Sequence, residues 1–318
     1  MYTGEIFQKH VLTLSALIGA ALFASLFAAR LPSTNETANA NEALSEEEIL
    51  QKPDAPVPPT LSAFAIFIMR EKTGQVFFSK NETNPLPIAS ITKLMTASLA
   101  LEYLDLFDRV LLTADARKNY DTGEKLSKVP AGETFKMEDA LKLAVISSDN
   151  DIARALAEAA VAKARPELFS SPFAERMRMF TELMNRKREE IGMADSHFDN
   201  PTGIDSSENY STARDLGRLA SFIYRTHPRI WDVSRIAKTD VFSVGGNRYE
   251  AITTNPLLEE FPDIVGTKTG STDGAKESLV LVYNVKTGEP IVIVVLRSDN
   301  RLRDARTLID WLQNAYKF

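Results

Sequence analysis

The sequence predicts an α+β fold in which both ends of the folded part contribute strands to one antiparallel sheet. Two observations indicate this class. Apolar segments separated by short turns lie near both ends of that part, and helical periodicity dominates the region between them, which predicts an inserted all-helical subdomain. A chain of 318 residues, 44% of them hydrophobic, can bury a large core. We expect a ligand cleft where the sheet meets the inserted helices.

The first 60 residues are predicted to lie outside this fold. Val11–Ala29 carries no charge, and as a helix it would span roughly 28 Å, close to the thickness of a bilayer core. We predict residues 1–30 as a transmembrane anchor, with a cleaved signal segment as the alternative. Residues 31–60 are rich in glutamate and proline and predict a disordered linker. The folded domain is predicted over 61–318, on the outer side of a membrane.

Each end of the folded part is predicted to form a β-hairpin. The paired segments are 62–69 with 75–79, across a turn at 71–74, and 279–285 with 291–296, across a turn at 286–289. Strands from both hairpins are expected in one sheet.

Three helices carry clear signals. The first begins after Ser171-Pro172 and ends at Gly192, with the apolar stripe Phe173, Met177, Phe180 and Met184 on its core face. The second begins at Ser211 and faces inward through Ala213, Leu216, Ala220 and Ile223. The third runs from about Leu302 to Leu312 and closes the chain.

Composition excludes several classes of function. The net charge is −6 and the basic residues are scattered, which argues against nucleic acid as a partner. The chain has no cysteine, so disulfides, thiol catalysis and cysteine-bound metals are excluded. His10, His197 and His227 are far apart in sequence, and no G-x-S-x-G segment presents a serine to any of them. No metal or organic cofactor is expected.

Ser90 and Lys93 form the strongest candidate pair for catalysis. They precede a largely apolar helical segment, and residues three apart on a helix share a face. A serine hydroxyl needs a neighbour to accept its proton, and without a suitable histidine a neutral lysine is the candidate. We expect burial or a second cation to lower the pKa of Lys93. An N-capping serine is the alternative interpretation.

Two further motifs follow in a fixed order. Ser148-Asp149-Asn150 lies between helical segments, and Lys268-Thr269-Gly270 lies just ahead of a strand. The combination S-x-x-K, S-D-N and K-T-G is typical of penicillin-binding proteins and class A β-lactamases. Both short motifs occur elsewhere as well, at Lys72, Lys286 and Ser298, but only the set 90, 148 and 268 has this order and context.

Beyond these motifs, the sequence resembles D-alanyl-D-alanine carboxypeptidases, the low-molecular-mass penicillin-binding proteins, from about Ala65 to Phe318. Besides the motifs, the resemblance rests on Pro87-Ile88-Ala89-Ser90, on Phe198 to Gly203 and on Gly266-Thr267-Lys268. It implies a β-lactamase/transpeptidase-like fold with a five-stranded sheet flanked by helices. Asp149 departs from the glycine more usual there, and no C-terminal β-rich domain follows the closing helix.

The resemblance also implies roles for individual residues. Ser90, Lys93 and Ser148 are expected to be catalytic; the residues expected to bind substrate are Asn150, Lys268, Thr269, Gly270 and Ser271. Backbone N–H groups of Ser90 and Ser271 are expected to form the oxyanion hole. The implied partners are peptidoglycan stem peptides ending in D-Ala-D-Ala and β-lactam antibiotics.

Other functions remain open at this point. A class A β-lactamase needs a glutamate to activate water, and Glu182, the nearest candidate, has the wrong spacing and lies on a predicted core helix. A cell-wall-binding protein that lost catalysis is a second alternative. Whether water or an amine accepts the acyl group is not decided by the sequence.

Overall fold

The computed structural model describes residues 48–117 and 127–318. The predicted anchor at Val11–Ala29 lies outside these residues. Within the described part, no helix has the length and apolar character needed to cross a bilayer.

One five-stranded sheet forms the centre of the fold. In chain order the described strands are β1 Ala65–Arg70, β2 Val76–Lys80, β3 Leu86–Pro87, β4 Arg109–Leu111, β5 Thr134–Lys136, β6 Tyr210–Ser211, β7 Lys238–Phe242, β8 Arg248–Ile252, β9 Ile264–Thr272, β10 Lys276–Asn284 and β11 Pro290–Ser298. The sheet has the order β2-β1-β11-β10-β9, and every pair is antiparallel. Both predicted hairpins and their union in one sheet are confirmed.

Most of the described α-helices lie between the two hairpins in sequence. These are α1 Lys93–Tyr103, α2 Met137–Val145, α3 Asn150–Ala164, α4 Phe173–Glu190, α5 Ala213–Thr226, α6 Arg229–Ser234 and α7 Leu257–Glu260; α8 Arg301–Ala315 follows the second hairpin. The three predicted helices correspond to α4, α5 and α8. Phe180 and Met184 of the predicted stripe are fully buried, while Phe173 and Met177 pack against the core from its margin.

The start of α5 differs slightly from the prediction. Ser211 pairs with Leu86 in a short β-bridge, so the helix begins at Ala213. Thr212 is the N-cap, and its hydroxyl accepts a hydrogen bond from the N–H of Asp215 at 3.1 Å. A threonine that satisfies a free N–H at the first turn is a strong start signal.

The sheet separates two hydrophobic cores. Alternate residues of β1 contact different cores: Phe67 faces the inserted helices, whereas Ile66 and Ile68 face α8. Because β1 and β11 are central, their side chains are buried on both faces and read as continuous apolar runs. The sheet is therefore covered on both sides, with the inserted helices on one and the C-terminal helix on the other.

Part of the predicted linker is ordered. The N–H of Lys52 donates to the carbonyl of Ala315 at 2.8 Å, and the Trp311 indole donates to the carbonyl of Pro56 at 3.0 Å. The side-chain amide of Gln75 also makes two hydrogen bonds with the backbone of Ile49. Residues 49–56 therefore pack on the domain instead of forming a free linker, because these backbone groups find partners there. Residues 31–47 of the predicted linker lie outside the described residues.

Candidate active site

Ser90 lies on a single turn of 3-10 helix, Ala89–Thr92, directly before α1. In a 3-10 helix, residues three apart eclipse one another, so Ser90 and Lys93 are brought closer than on an α-helix. The Lys93 Nζ lies 2.9 Å from the Ser90 Oγ. The Ser90 hydroxyl caps neither this turn nor α1, which excludes the alternative that Ser90 is an ordinary N-cap.

Lys93 is buried and held by three oxygen atoms. Besides Ser90, its amine donates to the Asn150 Oδ1 at 2.5 Å and to the Thr202 carbonyl at 2.6 Å. The amide and carbonyl oxygens can only accept, whereas the serine hydroxyl can also donate. A neutral amine can keep both N–H bonds to the fixed acceptors and turn its lone pair toward the Ser90 hydroxyl. The arrangement suits proton transfer from Ser90 to Lys93.

Ser148 and Asn150 flank the start of α3. The carboxylate of Asp149 is the N-cap and accepts from the N–H of Ile152 at 3.0 Å and from the Ser127 hydroxyl at 2.6 Å. Aspartate is among the favoured N-cap residues because its side-chain oxygen satisfies a free N–H of the first helical turn. Burial raises the pKa of Asp149, although the Ser127 hydrogen bond lowers it in part.

Lys268 is contributed by β9, an edge strand of the sheet. Its amine donates to the Ser148 Oγ at 2.9 Å and to the carbonyl of Thr269 at 2.8 Å. Gly270 lies beside Ser90: a Cβ added there would be 2.7 Å from the Ile88 carbonyl oxygen and 3.1 Å from the Ser90 nitrogen. Glycine therefore allows β9 to approach the 3-10 turn.

The site concentrates positive charge in a chain that is acidic as a whole. Lys268 is fully buried, and loss of hydration, followed by the charges of Lys93 and Arg301, holds its pKa well below that of a free lysine. Burial also lowers the pKa of Arg301. Positive charges close together in a buried site make it less favourable for every basic side chain there to be protonated at once. The same positive charges attract an anionic ligand.

The remaining predicted residues lie along the same stretch of β9. Thr269 is buried, and its hydroxyl lies 2.5 Å from the hydroxyl of Thr254. Ser271 is exposed at the end of the strand, paired only with β10. The structure thus brings together the three motifs, which are remote in sequence.

Several contributors to the site were not predicted. Arg301, the first residue of α8, donates to the carbonyl of Gly270 at 3.1 Å. The backbone carbonyl of Thr202 accepts a hydrogen bond from Lys93. Any residue type could provide this carbonyl, so the sequence does not reveal it. Ala89 and Ser148 have left-handed φ angles of 49° and 59°; strain of this kind in residues other than glycine clusters at functional sites.

The competing candidates do not join this site. Glu182 is exposed on α4 and pairs with Arg178, so it is not placed to activate water beside Ser90.

A separate groove of about 840 Å³ lies between the β1–β2 hairpin and α5, and none of the predicted site residues lines it.

Comparison with protein families gives a match over most of the chain. A family model described as D-alanyl-D-alanine carboxypeptidase matches residues 52–300. That range contains all three motifs.

Individual relatives have related names. A D-alanyl-D-alanine endopeptidase of Pseudomonas aeruginosa is 31% identical over 268 residues, covering 82% of this chain and 81% of that protein. The D-alanyl-D-alanine carboxypeptidase DacF of Bacillus subtilis is 28% identical, and the match covers 80% of this chain but 62% of that protein. Among solved structures, the Streptomyces K15 DD-transpeptidase superimposes with a TM-score of 0.71 at 26% identity, over 80% of this chain and 98% of that one.

Proposed function

Because the chain belongs to the D-alanyl-D-alanine carboxypeptidase family of serine peptidases, we propose that it removes the terminal D-alanine from peptidoglycan pentapeptides. The observation that carries this proposal is the meeting of two serine–lysine pairs, Ser90 with Lys93 and Ser148 with Lys268, each at 2.9 Å. Enzymes of this family act on the cell wall, outside the cytoplasm.

The first step is acylation of Ser90. Lys93 in its neutral form accepts the hydroxyl proton while the Ser90 Oγ attacks the carbonyl carbon of the penultimate D-alanine. The two N–H bonds that Lys93 keeps are held by Asn150 and Thr202. The negative charge that develops on the carbonyl oxygen is stabilised by the backbone N–H groups of Ser90 and Ser271.

Collapse of the tetrahedral intermediate needs a proton for the departing amine. Ser148 gives its hydroxyl proton to the amine and is reprotonated with the proton that Lys93 took from Ser90, which leaves Lys93 neutral again. The hydrogen bond from Lys268 holds the Ser148 hydroxyl in place during this relay. The C–N bond breaks, D-alanine leaves with its amine protonated, and the acyl group remains on the Ser90 Oγ. Attack by water on this ester releases the shortened peptide and restores Ser90. A penicillin follows the same first step, but its leaving amine stays tethered.

Substrate binding uses the positive charge and the exposed end of β9. The terminal carboxylate is bound by the Thr269 hydroxyl within the field of Lys268 and Arg301, whose charges lie next to it. Asn150 uses its Oδ1 for Lys93 and so has its amide NH₂ for a substrate carbonyl. Gly270 allows the strand to lie close to Ser90.

Release of D-alanine from a synthetic pentapeptide ending in D-Ala-D-Ala tests this function. We expect release by the parent protein and none by Ser90→Ala. A cross-linked dimeric peptide should be included because one relative is named as an endopeptidase. Cleavage of the cross-link without release of terminal D-alanine would replace the carboxypeptidase assignment by an endopeptidase one.

The membrane anchor at Val11–Ala29 is a second part of the proposal. Its support is an uncharged run of nineteen residues, close to the length needed to span a bilayer. Fractionation of cells that express the full chain should place the protein in the membrane pellet, resistant to high salt. Recovery in the soluble extracytoplasmic fraction with a shortened N-terminus would indicate a cleaved signal instead.

A further inference from the structure

We infer that Asp205 is a positioning residue that sets the spacing of the two oxyanion-hole N–H groups; this inference rests on the function proposed above. Asp205 lies in the loop between α4 and β6, and no role in the reaction was assigned to it. The two N–H groups belong to separate elements, since Ser90 is on the 3-10 turn and Ser271 is the next-to-last residue of the edge strand β9.

The beginning of this loop is fixed to the nucleophile side. The Asn200 Oδ1 accepts from the N–H groups of Thr202 and Gly203 at 3.1 and 2.7 Å, which closes a tight turn. Thr202 then accepts from Lys93 through its carbonyl. Gly203, at φ +87°, lies so close to Ala89 that an added Cβ would be 1.8 Å from the Ala89 carbonyl oxygen. This part of the loop cannot move without moving the residue before Ser90.

Asp205 connects the same loop to the sheet. Its Oδ1 accepts from the Thr272 hydroxyl at 2.6 Å, and its Oδ2 accepts from the N–H of Gly274 at 2.9 Å. The Thr272 Oγ1 in turn accepts from the N–H of Ala275 at 3.1 Å. The carboxylate therefore holds the last residue of β9, which follows Ser271 directly, together with the middle of the β9–β10 turn.

Residues 200–205, here called the bracket, thus connect the 3-10 turn to the end of β9. One end of the bracket contacts Lys93 and Ala89, and the other end contacts Thr272 and Gly274. Oxyanion stabilisation depends on donors placed 2.7–3.1 Å from the developing charge, and a displacement of about 1 Å can cost about 100-fold in rate. Asp205 is exposed and touches neither Ser90 nor Ser271 directly, so it acts through position. Losing the carboxylate should let the β9–β10 turn drift while the fold remains.

Asp205→Asn is the informative variant, because it keeps the size of the side chain but loses one of the two acceptor oxygens. Asp273→Asn is the matched control, since Asp273 is an exposed acid in the same turn. We expect Asp205→Asn to lower the acylation rate constant with a fluorescent penicillin by about 10- to 100-fold, and Asp273→Asn to leave it unchanged. Circular dichroism should show that both variants are folded.

A second readout separates positioning from a general loss of structure. A boronic acid forms a tetrahedral adduct with a serine nucleophile and places an oxygen in the oxyanion hole. Its affinity should fall in Asp205→Asn by the same factor as kcat for the pentapeptide, while KM stays near the parent value. Acylation of Asp205→Asn at the parent rate, or an equal loss in Asp273→Asn, would overturn the inference alone. A parent protein that fails to react with penicillin would overturn the proposed function and this inference with it.

Discussion

The sequence Ser-Asp-Asn occurs twice in this chain, and the two copies have different surroundings. Ser148 lies in a left-handed conformation before α3, and its hydroxyl accepts from Lys268. Ser298 ends β11, and its buried hydroxyl donates to Asp304 at 2.7 Å and lies 3.0 Å from that of Ser62. The first serine contacts a buried amine of the cleft, whereas the second belongs to a hydrogen-bond network that joins the end of β11 to Ser62 and α8.

The three Lys-Thr-Gly sequences differ in the same way. Lys268 is inside a long strand and fully buried. Lys72 and Lys286 are exposed in the turns of the two hairpins, where Gly74 and Gly288 have positive φ angles of 75° and 81°. Burial and backbone conformation therefore distinguish the candidate catalytic motif from a turn of the same sequence.

Loss of the base should give the largest effect. Lys93 contacts the first Ser-Asp-Asn copy through Asn150, and we expect Lys93→Ala to lower penicillin acylation by about 10⁴-fold or more. Stopped-flow or gel-based labelling with a fluorescent penicillin measures this rate. Labelling of Lys93→Ala at a normal rate would remove Lys93 from the mechanism.

Substituting the two serines in parallel should separate catalysis from stability. Ser148→Ala is expected to lower kcat for D-alanine release by about 10²–10⁴-fold without loss of thermal stability. Ser298→Ala should leave kcat unchanged and lower the free energy of unfolding by about 1–3 kcal/mol, because Asp304 and the N–H of Asn300 lose a buried partner. Urea unfolding followed by circular dichroism provides the second measurement. Equal losses of kcat in both variants would mean that the two copies are not functionally different.

The lowered pKa of Lys268 predicts the alkaline limit of substrate binding. A lysine whose pKa is lowered in the folded protein loses its charge at a lower pH than a free one, whose pKa is 10.5. We expect KM for the pentapeptide to rise with pH well below that value, and Lys268→Arg to move the rise to higher pH because arginine stays charged. The apparent pKa belongs to the coupled site rather than to one residue. An alkaline limb that is identical in the two proteins would assign it to another group.

The lowered pKa of Lys268 also makes the free energy of unfolding depend on pH. The unfolded chain binds the Lys268 proton more tightly than the folded one, so this residue favours folding more as pH rises from the lowered pKa toward 10.5. Its contribution to stability and its contribution to binding therefore change in opposite directions with pH.

The smallest effects are expected at the turn copies of Lys-Thr-Gly. Lys286→Ala should leave kcat and KM at parent values and change the free energy of unfolding by about 0.5 kcal/mol or less, since the side chain is exposed. The same kinetic and urea measurements apply. A clear loss of acylation in Lys286→Ala would show that burial is not what marks the catalytic motif.

Most of the central sheet could be predicted because its signals are local. Each hairpin combines two apolar segments with a turn of two or more polar residues, and α4 carries an apolar face at helical spacing. The small sheets could not be predicted in the same way. Strands β3 and β6 contain two residues each and pair across more than a hundred positions, so neither length nor periodicity identifies them.

The convergence of the candidate site residues could be predicted where side chains form recognisable motifs. The three motifs named eight residues, and the structure places all of them in one region. The Thr202 carbonyl and the positive φ of Ser148 were beyond sequence reasoning, because neither depends on a residue type that marks it. Arg301 directly follows Ser298-Asp299-Asn300, the copy of the motif that lies outside the candidate site. Only the packing of α8 brings Arg301 beside Gly270.

The most direct test of the account is the position of a covalent penicillin. Labelling the full protein with a fluorescent penicillin, followed by protease digestion and mass spectrometry, identifies the acylated residue. We predict one ester, on Ser90, that is absent from Ser90→Ala and retained in Ser298→Ala. A label on another residue, or no label on a folded protein, would contradict the convergence of the three motifs on Ser90.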